Sequence, residues 1–262
     1  MEKTKMSKTR HVSRRSFIRQ ATTAGLAGIA VPYYVPASAL GQAGQGGAND
    51  RIGLGLIGCG GMGRANLNAC AGRADVVVTG ACDVWKSRRD AVVAQCQGTA
   101  KPYHDYREML GAKDIDAVII ASPPHWHCRM AVDACEAGKD IYLQKPMTLH
   151  VGESFAVRNA VRRHRRICQV GTQIHASENY RRVVEFIRSG KLGPISVART
   201  FNVMNQGPNG VGDTPNSAPP AEIDWDQWVG PGPMQSFNPL IVRDAYYNCS
   251  FMAYSGGWTP GM

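Results

Sequence analysis

Apolar residues run along the chain in two alternating rhythms. Short unbroken apolar runs, the mark of strands buried on both faces, fall at Arg51–Ile57, Val76–Cys82, Asp116–Ala121, Asp140–Gln144 and Ile167–Gly171. Between them lie stretches with helical spacing. One carries Ala65, Leu67, Ala69 and Cys70; others cover Lys86–Gln97, a segment from near Asp105 to Leu110, Trp126 to Gly138, and Val151–Arg165. Tyr103 and its neighbours add a short strand or turn, so six strands alternate with helices. Such alternation predicts an α/β fold built on a doubly wound parallel sheet. Past Gly171 the texture changes. An amphipathic helix is predicted over Asn179–Ser189 and a strand over Ile195–Val203, followed by a Pro-, Gly- and Asn-rich stretch and a crowd of aromatics from Trp225 to Trp258. This reads as the start of a second α/β domain with an open sheet, so the expected division is 51–173 and 174–262.

The first apolar run leads straight into Gly58-x-Gly60-x-x-Gly63 and then a helix. Strand, tight turn and helix in that order make a dinucleotide site. Gly58 permits the turn, Gly60 lets backbone approach a pyrophosphate, and Gly63 lets helix and strand pack closely. The N–H groups and positive dipole end of that helix then face the phosphates. Asp83 ends the second strand, where a carboxylate can bind both ribose hydroxyls and repel a 2′-phosphate. That favours NAD over NADP, although Lys86, Arg88 and Arg89 follow closely and soften the preference. Asp83 can equally cap the next helix. Ser122-Pro-Pro-His-Trp-His127 and Lys145-Pro146 end two further strands, and ligands of open α/β sheets bind outside such carboxyl ends.

Charge changes the picture only at the front. The chain has 262 residues and a formal charge of +10, but residues 1–39 hold seven basic residues against one glutamate. The rest carries a modest surplus with no basic stripe, which gives no support for a nucleic-acid partner. Ser13-Arg-Arg-Ser-Phe-Ile18 is a twin-arginine pattern. It is followed by an apolar stretch, Ala21–Val35, too short to span a bilayer, and by Ala37-Ser-Ala39 for a signal peptidase. Residues 1–39 therefore read as an export signal engaging the twin-arginine machinery, with cleavage near Ala39, a periplasmic destination and no stable membrane anchor; 40–50 reads as a flexible linker. The alternatives are a basic disordered terminus and an uncleaved anchor. Export in the folded state suits a protein that must first acquire a cytoplasmic nucleotide. The eight cysteines form no CxxC pair and sit mostly in apolar runs, so free thiols are expected. His104, His125 and His127 have no acidic or cysteine partner at ligand spacing, so no metal site is expected.

Four stretches together resemble the glucose–fructose oxidoreductase / inositol dehydrogenase family (Gfo/Idh/MocA): Gly58-x-Gly60-x-x-Gly63, Ser122–His127, Ala137-Gly-Lys-Asp-Ile-Tyr-Leu-Gln-Lys-Pro146, and Tyr180–Gly193. The resemblance covers about Arg51 to Met262. It implies a Rossmann domain joined to an open-sheet domain, a sugar-like or cyclitol substrate, and hydride transfer between a nicotinamide cofactor and a ring hydroxyl. By the same resemblance Gly58, Gly60, Met62 and Gly63 lie under the pyrophosphate and Asp83 on the adenosine ribose. Ser122, Pro123 and His127 flank the nicotinamide half, and Gln173 is a polar contact beside it. Lys145 matches the lysine of the family's Glu-Lys-Pro motif, directed at the substrate hydroxyl. Gln144 replaces that motif's glutamate: it can hydrogen-bond a ribose hydroxyl but cannot hold a cation by charge. The family's catalytic histidine belongs to a Gly-x-His-x-x-Asp-like stretch expected where the sequence ends, at Tyr254–Met262, so a truncated chain is expected and Lys145 is either the sole base or only a hydrogen-bond donor. A homo-oligomer through the second-domain sheet is compatible with the resemblance. Two other readings stay open: an NAD-dependent glycosidase working by transient oxidation and elimination, and a nucleotide-binding protein that does not turn over.

Overall fold

The computed structural model describes residues 50–173, 177–199 and 214–244. Its centre is one six-stranded sheet. In chain order the elements are β1 (Ile52–Ile57), α1 (Gly61–Ala71), β2 (Val76–Cys82), α2 (Lys86–Gln95), β3 (Lys101–Tyr103), α3 (Tyr106–Leu110), β4 (Ala117–Ile120), α4 (Pro124–Glu136), β5 (Asp140–Gln144), α5 (Val151–His164) and β6 (Cys168–Gly171). The strand order is β3-β2-β1-β4-β5-β6, and every pairing is parallel. The fold is the α/β Rossmann sheet that the alternation predicts.

Side-chain alternation across the pleat explains the two layers. Val118 and Ile120 of β4 join Ile141 and Leu143 of β5 in a core covered by α3, α4 and α5. Ile119, between them, points to the opposite face and packs with Leu54, Leu56, Val78 and Ala81 under Leu67 of α1 and Val92 of α2. A strand that buries alternate residues on both faces has no polar side, so its sequence is a continuous apolar run. Seven described cysteines are free thiols, several of them built into these layers.

Element ends follow local chemistry. Asp105 caps α3 by accepting the Arg107 N–H at 2.8 Å. Gly138, at φ 75°, follows the end of α4. Helix α4 begins at Pro124, two residues before Trp126, because proline's fixed φ and missing N–H suit a first helical position. Helix α5 stops at His164, and Arg165 turns left-handed at φ 53°.

After β6 three helices follow among the described residues: α6 (Glu178–Arg188), α7 (Trp225–Val229) and α8 (Pro239–Asp244). The strand expected at Ile195–Val203 does not form over 195–199, and 200–203 lie outside the described residues. No strand follows β6 among the described residues, so the open sheet expected for 174–262 is not seen there. Residues 214–244 instead pack back onto the first sheet: Ile223, Trp228, Val229 and Ile241 are buried, with Val84 and Trp85 against them. The expected leader, 1–39, and the expected linker, 40–50, lie outside the described residues except for Asp50.

Candidate active site

The site begins where the strand order reverses. From β1 the chain steps outward to β2 and β3, then returns to the other side of β1 as β4. The loops leaving β1 and β4 diverge there and open a crevice at the carboxyl edge. Register brings the strand ends level: Ile57 is opposite both Cys82 and Ile120, and Gln144 is opposite Gly171.

The glycine loop is as tight as its motif predicts. Gly58 has φ 91°, and a Cβ there would lie 2.6 Å from the Ala121 carbonyl group. A Cβ on Gly63 would lie 1.9 Å from the Gly58 carbonyl oxygen. Gly60 is the N-cap of α1, and a Cβ there would meet nothing nearer than an Arg88 guanidinium nitrogen at 3.9 Å. Gly58 and Gly63 therefore shape the loop, while Gly60 keeps its outer surface clear for a ligand. The first-turn amides of α1 have no helical acceptors and face that clearing.

Asp83 is bonded within the chain in a way its sequence position did not show. Its Oδ2 accepts the Cys59 N–H at 2.7 Å and its Oδ1 accepts the Trp85 N–H at 2.8 Å. Helix α2 starts with Trp85 as N-cap and no side-chain cap. The capping alternative is thus corrected: the carboxylate braces the glycine loop, because the end of β2 lies beside that loop. Burial pushes its carboxyl above the usual range, opposed by the two amide bonds and then by Arg88 and Arg89. Arg88 stacks its guanidinium 4.0 Å from the centre of the Trp85 ring, and burial lowers its pKa.

A cleft of about 590 Å³ joins these parts. Gly58, Gly60, Met62, Asp83, Ser122, Pro123, Gln144, Lys145 and Gln173 all line it. Gln173 reaches across the mouth, its Nε2 3.9 Å from the Met62 sulfur. Lys145 is 9% exposed, at the end of β5. Gly63 lies beneath the loop and does not line the cleft. Nor does His127: it is 1% exposed, with Nδ1 2.6 Å from the Pro146 carbonyl and Nε2 2.8 Å from the Ser122 carbonyl. It was expected to flank the cofactor. The structure puts it behind the cleft wall, tying the ends of β4 and β5, because α4 starts at Pro124 and its first turn directs the ring inward. Burial lowers its pKa to about 4, against the pull of the two carbonyls.

Sequence reasoning missed the far wall. His104, Tyr106, Trp126, Met130, Gln227, Trp228, Ile241 and Val242 also line the cleft. The signal was the aromatic density after Trp225, which had no register to place it. The three histidines considered for a metal lie apart in function. His104 pairs with Asp224 at 2.9 Å, His125 meets the Trp228 carbonyl at 3.0 Å, and His127 is held as described. Among the described residues no three metal-ligating side chains converge.

Two residues that line the cleft carry a buried polar atom without a partner. Ser122 Oγ and Gln144 Nε2 have no hydrogen-bond partner among the described residues. A buried polar atom without a partner costs about 1–3 kcal/mol, which a ligand donor or acceptor would recover. With the cleared glycine loop, these orphans fit a nicotinamide dinucleotide.

Fold and site together define a dinucleotide-binding α/β domain. Residues 52–172 match the model of the GFO/IDH/MocA family, described as an oxidoreductase family with an NAD-binding Rossmann fold. A glycosyl hydrolase family 109 protein of Shewanella baltica is 29% identical over 206 residues, 71% of this chain and 44% of its own. An inositol 2-dehydrogenase of Salmonella typhimurium is 29% identical over 152 residues, 56% of this chain and 45% of its own. The crystal structure of myo-inositol dehydrogenase from Lactobacillus casei in complex with NAD(H) and myo-inositol superposes with a TM-score of 0.51 at 25% identity, over 55% of this chain and 43% of that one. The chain spans a little under half the length of the relatives it matches.

Proposed function

We propose that the protein moves a hydride between NAD and a ring hydroxyl of a sugar or cyclitol. The observation that carries this reading is the cluster at the ends of β4 and β5. Buried Lys145 stands there beside the Ser122 hydroxyl and Gln144 Nε2, which have no hydrogen-bond partner among the described residues, in the cleft that the glycine loop enters. Bound there, a nicotinamide dinucleotide supplies the hydride-accepting ring.

The chain's own residues do the rest. The α1 N-terminus holds the pyrophosphate, and Asp83 takes the adenosine ribose with the lone pairs its amide bonds leave. Ser122 and Gln144 orient the nicotinamide half. Lys145 Nζ takes the proton from the substrate hydroxyl, or returns it in the reverse direction; accepting it requires the neutral amine. Gln144, an amide where the family motif has a glutamate, places no charge next to that amine. Asp83 favours NAD over NADP.

The inositol dehydrogenase relatives support a cyclitol-like substrate. The glycosyl hydrolase family 109 relatives favour a second reading, in which oxidation is transient and a glycosidic bond is cleaved. Lys145→Met tests the first. It should leave NAD binding intact, measured by titration, and abolish nicotinamide reduction across a panel of inositols and sugars; unchanged turnover removes Lys145 from the chemistry. Glycoside cleavage with no net reduced cofactor selects the second reading.

We also infer that residues 1–39 are a twin-arginine leader directing the folded protein to the periplasm. Arg14→Lys with Arg15→Lys should hold the protein in the cytoplasm. Amino-terminal sequencing of the exported chain should start near Leu40; an intact Met1 in the periplasm rules out cleavage.

A further inference from the structure

Residues 222–242 lie outside the matched family domain, yet they complete the cleft. They are fastened to the sheet by bonds on both sides of it. The Lys86 N–H donates to the Glu222 carbonyl at 2.9 Å, and the Asp224 N–H to the Val84 carbonyl at 3.0 Å. These flank a single antiparallel bridge between Trp85 and Ile223. Side chains reinforce them: Trp85 Nε1 donates to Glu222 Oε1 at 2.6 Å, and His104 Nε2 meets Asp224 Oδ2 at 2.9 Å. On the α4 side the Trp228 carbonyl meets His125 Nε2 and accepts Trp126 Nε1–H, each at 3.0 Å. Gly230, at φ 48°, lies so close that a Cβ would come within 2.0 Å of the Trp126 ring.

We propose that this segment is a wall that clasps the adenosine half of the cofactor, so that release of the cofactor requires the wall to lift. The proposal rests on the NAD-binding reading above. Its chemistry is that of the recess it closes. Tyr106, Trp126 and Met130 line the sheet side, Trp228 and Ile241 the wall side, and Asp83 stands at the ribose end. An apolar recess opening beside a ribose-binding carboxylate suits a purine, whose faces are apolar. Gln227 brings a carboxamide to the same lining.

The test uses the full chain with NAD and ADP-ribose as probes. Two variants loosen the wall from different sides: Glu222→Ala with Asp224→Ala, and Gly230→Ala. Either should raise the Kd for ADP-ribose and for NAD about tenfold, the size of effect expected when one or two bonds holding a binding wall are lost. If Gly230→Ala does not fold, the double variant still decides. In the native protein, ADP-ribose should also slow amide hydrogen exchange across 222–230. Native affinities in the double variant, or no protection of 222–230 by bound ADP-ribose, overturns the wall and leaves the NAD reading standing. Failure of the native protein to bind either probe overturns both.

Discussion

Gly63 tolerates less change than its place in a common motif conveys. A methyl group there would collide with a backbone oxygen at 1.9 Å, which no rotamer change can relieve. Gly63→Ala should cost about 1–3 kcal/mol of stability, as overpacked sites do, and weaken NAD binding because the strained loop carries the phosphate-facing amides. Asp83 has two backbone partners, the Cys59 and Trp85 amides, beyond the ribose and capping roles its sequence position offered. Asp83→Asn keeps one acceptor oxygen and turns an NH2 toward an amide donor. It should cost about 1–3 kcal/mol and weaken both NAD and NADP, NAD more. Equal weakening of both would leave the carboxylate only a brace. His127 gives a pH signature. Its folded pKa, about 4, lies below the ordinary 6.5. The unfolded chain therefore binds the extra proton first, and stability falls as pH drops from 6.5 towards 4, by up to about 3 kcal/mol. Denaturant midpoints across that window should show the loss and His127→Gln should flatten it. Stability that rises on acidification would mean an imidazolium bridges the Ser122 and Pro146 carbonyls.

Helix α3 is only five residues long, yet its Tyr106 lines one side of the cleft. It is held to α4 by the Tyr106 hydroxyl, which donates to Asp133 Oδ2 at 2.6 Å, and by an edge-on contact with Trp126 at 5.7 Å between ring centres. Asp133 keeps its bond from Arg129 when Tyr106 is changed. Tyr106→Phe should therefore cost only about 1 kcal/mol, read as a shift in thermal midpoint. A larger loss would mean that α3 detaches as a unit. At this scale the sequence was most legible where both faces of an element are buried: β2 and β5 match their apolar runs residue for residue. Helix ends were off by one or two residues, because Pro124 and the left-handed Arg165 set them locally. Helix α6 forms where its periodicity predicts, but none of its residues is buried among those described, and Val183, Phe186 and Ile187 are exposed. A periodic pattern specifies that a helix has an apolar face; it does not specify what that face meets. The same limit hid the wall at 222–242, whose contacts with Trp85 and Trp126 span roughly a hundred residues or more and leave no local trace.

Across the whole molecule the cleft is made by two stretches of chain far apart in sequence, the glycine loop with the strand ends and the segment after Glu222. A ligand filling it should stabilise both at once. NAD bound to the folded chain and not to the unfolded one adds about 2.7 kcal/mol at a hundredfold excess over Kd, which for a chain of this size raises the thermal midpoint by about 5–10 °C. If the wall and the sheet unfold together, one transition should move by that amount, followed equally by the tryptophans of the wall, Trp225 and Trp228, and by backbone circular dichroism. The Gly63→Ala variant should lose most of the shift, because its loop no longer presents the phosphate site. The Glu222→Ala, Asp224→Ala variant should keep a smaller one, because the pyrophosphate and nicotinamide contacts remain. Two separated transitions, with only the backbone signal responding to NAD, would mean that the sheet holds the cofactor without the wall. The sheet domain would then be a binding site in its own right, with the later segment merely packed against it.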